Sequence, residues 1–151
     1  MTATTKGRNT NAVIQFSVFI VNRLGRLRDL VNLLDSNDVH VLALTILDFT
    51  DTAVIRLVVD DPEQTRALLR EQDIQHTEST IIVVEMDSAT QLPQLMSALM
   101  AVEMNINYLY SFIPHPHDKS LLALSVEDNE IATLALKKHQ FNVLVQSDLS
   151  R

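Results

Sequence analysis

Two histidines one residue apart, His115 and His117 in the stretch PHPHD, form the tightest grouping of metal-ligating side chains in the sequence. An H-x-H turn with Asp118 beside it can share a metal ion, and the same residues equally make a polar hairpin tip. No third ligand lies nearby in sequence. The chain has no cysteine, which removes disulfides, a thiolate nucleophile and sulfur metal sites. Neither a G-x-S-x-G elbow nor a glycine-rich phosphate loop occurs. The paired carboxylates Asp60 and Asp61 stand at a strand end before Pro62, the place of a helix cap. No residue is assigned a catalytic role, and the sequence reads as a non-enzyme without a cofactor.

The glycines carry a second signal. There are two in 151 residues, where average usage would supply roughly ten. Gly7 lies in the polar stretch MTATTKGRNTNA, read as a flexible leader over 1–12. Gly25 stands between an apolar run and a helical pattern. The first N–H groups of a helix have no intrahelical acceptor and carry partial positive charge, so such a terminus accepts a carboxylate or phosphate. Glycine permits close backbone approach and positive φ. The same residue also serves a tight strand-to-helix turn with no ligand.

The elements around these residues are written twice. VIQFSVFIV (13–21) reads as a strand. Leu27, Leu30, Val31 and Leu34 recur at helical spacing. VHVLALTILDF (39–49) and AVIRLVVD (53–60) form a hairpin, DPEQTRALLREQ (61–72) starts a helix at Asp-Pro, and IQHTEST (74–80) closes the unit. TIIVVEM (80–86), a helix over 90–103 with Leu92, Leu95, Met96 and Leu99 on one side, strands over 104–113 and 120–128, a helix over 129–139 and a strand over 141–146 repeat that order. Leu27, Leu30, Leu34, Val39 and Val41 precede Leu92, Leu95, Leu99, Met104 and Ile106 by 65 places, and Val59-Asp60-Asp61 precede Val126-Glu127-Asp128 by 67. Agreement of order, register and turn chemistry marks an internal repeat.

The fold class is therefore α+β: two tandem ferredoxin-like βαββαβ domains, 13–79 and 80–151, each an antiparallel sheet with helices on one face. Right-handed crossovers place the first and third strands centrally and leave the second at an edge that needs a partner. Ile81 and Val83 alternate with Ile82 and Val84, so the helix-free face is also apolar and is expected to be buried by self-association. Arg56 in the third strand is expected to pair with Asp48 or Asp51, or to face solvent or an interface. Tyr108 and Tyr110 share one strand face and are expected at an interface.

Charge limits the partners. The net charge of −7 argues against a nucleic-acid surface and against adsorption to anionic membranes. No signal-peptide core or membrane-length apolar run is present, and a cytoplasmic location is expected.

Strand, N-x-x-G-x-L, helix, strand in a βαββαβ unit resembles the ACT domain, a regulatory module that binds amino acids. SVFIVNRLGRL, LDFTDTAVIRLVVDDPE, TESTIIVVEM and NINYLYSF carry the resemblance. It is nearest to stand-alone proteins of two ACT domains, some resembling the small regulatory subunit of acetolactate synthase. The resemblance implies a free amino acid bound where ACT domains pair, a homodimer, and regulation in amino-acid metabolism. It also implies an enzyme partner such as acetolactate synthase as an alternative. Carried over, the ligand loop is Asn22, Arg23, Leu24, Gly25, Arg26 and Leu27, with opposing contacts from Met104, Asn105 and Ile106. A weaker second site comprises Asp87, Ser88, Ala89 and Thr90 with Val39 and His40: Thr90 replaces the glycine, Pro93 removes an N–H, and His40 replaces the family's asparagine. Leu24 stands where the family places proline. A metal-binding ACT-like module resting on His115 and His117 is the remaining alternative.

Overall fold

β1 (Val13–Val21) opens the order β1, α1 (Arg26–Ser36), β2 (Val41–Asp48), β3 (Thr52–Val59), α2 (Pro62–Glu71) and β4 (His76–Met86). A 3₁₀ turn (Ala89–Gln91), α3 (Leu92–Met100), β5 (Ile106–Ser111), β6 (Ser120–Val126), α4 (Asn129–Lys138), β7 (Val143–Leu144) and the short α5 (Gln146–Leu149) follow. The computed structural model describes residues 11–21, 24–114 and 119–150. The chain divides into two compact units, built mainly from residues 14–80 and 81–148.

In the first unit the strand order is β2-β3-β1-β4, with β2 and β1 antiparallel to β3. Phe16 pairs with Leu57 and Val18 with Ile55, so these four share a face. They form one buried cluster with Leu30 and Leu34 of α1 and Leu68 and Leu69 of α2. Both helices thus cover the same side of the sheet. Val31, expected in the helical stripe, lies on the exposed flank of α1. In the second unit the order is β5-β6-β4-β7, all antiparallel. Ile82, Val84 and Met86 pack with Leu95, Leu99 and Leu136, while Leu92 stays exposed.

The repeat extends to details invisible in composition. Each second strand carries a bulge at its start, between Val41 and Ala43 and between Ile106 and Tyr108. Each of the four main helices ends in a non-glycine residue with positive φ: Asp38, Asp73, Glu103 and Gln140. The next N–H then closes the helix end, as Val39 to Leu34, Ile74 to Leu69, Met104 to Leu99 and Phe141 to Leu136. Glycine usually fills this position; here acids and a glutamine do, which accounts for much of the glycine poverty.

Three expectations change. The fourth strand of the first repeat and the first of the second are one unbroken strand, β4, because β4 finds strand partners along its length: β1 in the first unit, β6 and β7 in the second. The last strand shrinks to Val143–Leu144, since Asp148 accepts a 2.8 Å bond from the Val145 N–H and starts a helical turn. Ile81 and Val83 are already buried within a single chain, so their burial requires no second copy.

Candidate functional site

Gly25 is the N-cap of α1 with φ of 90° and ψ of −14°, a left-handed conformation. Lacking a side chain, it offers no oxygen to cap α1. The starts of α2 and α4 are built differently. Asp61 caps α2 by accepting from the Gln64 N–H at 3.1 Å, and Asp128 caps α4 by accepting from the Ile131 N–H at 3.1 Å. Beside the α1 terminus, the Arg28 guanidinium lies 3.8 Å from where a Cβ on Gly25 would project. Leu24 is fully exposed, Arg26 exposed, and Leu27 packs partly against the core of its unit. Asn22 and Arg23 lie outside the described residues.

At the start of β5, Met104 and Ile106 pack against the second core. Asn105 between them is exposed, and its Nδ2 donates to Oε1 of Glu127 at 2.7 Å. The first repeat has the same construction: Nδ1 of His40 lies 2.7 Å from Oδ2 of Asp60, whose Oδ1 accepts the His40 backbone N–H at 2.8 Å. The Asp60 side chain is only 6% exposed. Asp60 and Glu127 are the residues that sequence reading passed over. The 67-residue offset pairing them was the signal, yet both acids of Asp60-Asp61 were read as one helix cap.

The second loop is engaged with itself. Ser88 Oγ accepts from the Thr90 N–H at 3.3 Å, capping the 3₁₀ turn. The Asp87 N–H donates to the Gln91 side chain. Nζ of Lys119 lies 3.1 Å from Asp87 and 3.6 Å from Glu85, and its bond to Asp87 raises its pKa above the ordinary lysine range. Ala89 is exposed. Val39 is 2% exposed and committed to the core of the first unit. His40 instead borders a cavity of about 400 Å³ that Asp38, Asp60, Asp61 and Glu63 also line. Such a lining attracts cationic groups and repels carboxylates.

Arg56 sits in the row Ser17–Arg56–Thr45 on the helix-free face. Asp48 pairs with Ala53, so its position is on the opposite face of the sheet. Tyr108 and Tyr110 lie on the helix-free face of the second unit, half-buried, with ring centroids 6.4 Å apart. His115, His117 and Asp118 lie outside the described residues. Among those described, no group of histidine and carboxylate side chains could hold a metal ion, and no helix is long and apolar enough to cross a membrane.

Two antiparallel βαββαβ units in tandem, each with helices on one face, define the class: a doubled ferredoxin-like fold. Residues 11–151 match the family described as an ACT domain pair, and the chain belongs to that family. Its fold is similar to that of protein BT0572 from Bacteroides thetaiotaomicron, with a TM-score of 0.85 at 22% identity over 95% of this chain and 99% of that one. The regulatory subunit of aspartate kinase from Thermus thermophilus, in its ligand-free form, gives 0.60 at 14% identity over 85% and 91%. That from Thermus flavus gives 0.55 at 11% over 86% and 94%. Among curated proteins none matches.

Proposed function

We propose that the protein is a non-catalytic sensor that binds a free amino acid, held by the loop Asn22–Leu27 and completed by Met104, Asn105 and Ile106 of a facing ACT domain. The observation that carries this reading is Gly25 at φ of 90°, starting a helix with no capping side chain among the described residues. An uncapped helix start offers N–H groups and partial positive charge to the amino acid's carboxylate. The second loop, with Ser88 on the Thr90 N–H, is the weaker binder. Binding would shift the population of domain arrangements, and a partner reads the shift.

Self-association supplies the facing domain. β2 and β5 each pair on one side only among the described residues, and unpaired edges favour pairing with another copy. Light scattering at micromolar concentration checks this: a dimer is expected, and a monomer would count against it. The second reading is a regulatory subunit docked on a biosynthetic enzyme, acetolactate synthase included. It is favoured by the similarity in fold to chains described as regulatory subunits of aspartate kinase.

A thermal-shift panel of the twenty amino acids separates the two. A ligand at a hundred times its dissociation constant adds about 2.7 kcal/mol to a protein that binds it only when folded. Selective stabilisation by one amino-acid class, lost in Gly25→Val, supports the sensor. A flat panel together with co-purification of a large enzyme supports the subunit.

A further inference from the structure

Glu127 has no role in the reading above, yet it decides which way Asn105 faces. A carboxylate only accepts hydrogen bonds, so the Asn105 amide must turn its NH₂ toward Glu127, as the 2.7 Å bond shows. Oδ1 of Asn105 is left pointing away from the acid. The first repeat has the same pairing with different residues. Nδ1 of His40 lies 2.7 Å from Oδ2 of Asp60, and Asp38 Oδ1 is 4.0 Å from its Nε2. Each acid immediately precedes the acid that caps the following helix, Asp61 or Asp128. A lone surface hydrogen bond is worth little. Its recurrence at equivalent positions, with unlike side chains and unlike acids, points to a shared requirement: a polar side chain at the start of the second strand held by the acid that follows the third.

We infer that Glu127 is a positioning residue that holds the Asn105 amide oxygen toward the effector, so that Asn105 takes the ammonium end of an amino acid. The inference rests on the amino-acid reading above. It complements the helix start at Gly25, which suits the carboxylate end. Replacing the ammonium by a hydroxyl removes the charge-assisted part of the bond, and losing Glu127 frees the amide to turn over.

The test titrates wild type, Glu127→Gln and Glu127→Leu with the twenty L-amino acids and with the 2-hydroxy acids bearing the same side chains, reading dissociation constants from melting shifts. In Glu127→Leu the affinity for amino acids is expected to fall about tenfold, while affinity for the hydroxy acids stays the same. Glu127→Gln, whose carbonyl still accepts from Nδ2, is expected to restore most of the affinity and the preference for the ammonium form. Should Glu127→Leu fail to fold, Glu127→Ala makes the same comparison. Unchanged amino-acid affinity and preference in the leucine or alanine variant would overturn the inference while leaving the sensor intact. A wild-type panel in which nothing binds overturns the amino-acid reading and this inference together.

Discussion

Nδ1 of His40 lies 2.7 Å from Oδ2 of Asp60, at the junction of the start of β2 and the end of β3. The bond ties two strand ends that are 20 residues apart in the chain, and a second bond from the His40 N–H doubles it. His40→Ala removes one hydrogen bond from a largely buried carboxylate, a loss expected to cost about 1–2 kcal/mol. His40→Asn, the second repeat's residue, should recover much of that stability. Urea unfolding of the three proteins checks both.

Gly25→Ala should destabilise for a conformational reason. A Cβ meets nothing closer than 3.8 Å, so space is available, but an L-residue at φ of 90° is strained. The expected cost is about 1–2 kcal/mol, or a melting temperature lower by roughly 2–8 °C. No loss would mean that the turn relaxes to negative φ.

Helix ends offer the opposite opportunity. Glu103 and Gln140 hold φ of 54° and 67° without glycine's freedom. Glu103→Gly and Gln140→Gly are each expected to raise stability by about 0.5–1 kcal/mol. The added freedom of the unfolded chain offsets part of the gain. Calorimetric melting of each variant reads the sign directly.

Nε and Nη2 of Arg66 each donate to Glu78 at 2.7 Å, tying α2 to β4. The hydrogen bond from Arg66 holds the Glu78 carboxyl below its ordinary pKa, with burial opposing. A depressed folded-state pKa contributes stability that is present above the unfolded value, near 4.3 for glutamate, and is lost as pH falls through the folded value. The pair is partly exposed, which keeps its contribution under about 1 kcal/mol. Wild type should therefore exceed Glu78→Gln in stability at pH 7, with the gap closing toward pH 3.

The helix caps give a control within each unit. Asp61→Ala and Asp128→Ala each remove one acceptor from a helix start and should each cost about 1 kcal/mol. The two changes lie in different units and should add in the double variant.

Much of the architecture was legible because it depends on local chemistry. Asp-Pro at 61–62 announces a helix start, alternation marks β1 and β3, and Leu30, Leu34, Leu95 and Leu99 recur on the buried faces that the 3.6-residue period requires. The 65- and 67-residue offsets carried the strand order from one repeat to the other. The candidate site was legible only as far as its types: one glycine at a helix start, and one asparagine at a strand start.

Other features were not legible because they depend on neighbours distant in sequence. That residues 76–86 form one strand follows from partners on both sides of Thr80. His40 looked like a weakened asparagine until the hairpin register placed Asp60 against it. Val31 and Leu92 have the right period but the wrong angle to reach a sheet. The sequence by itself determined the type and order of most elements, since propensity, capping and periodicity act within a few residues. Only the tertiary structure decided which polar group meets which acid, because a bulge or a one-residue change of register between strands redirects every side chain that follows.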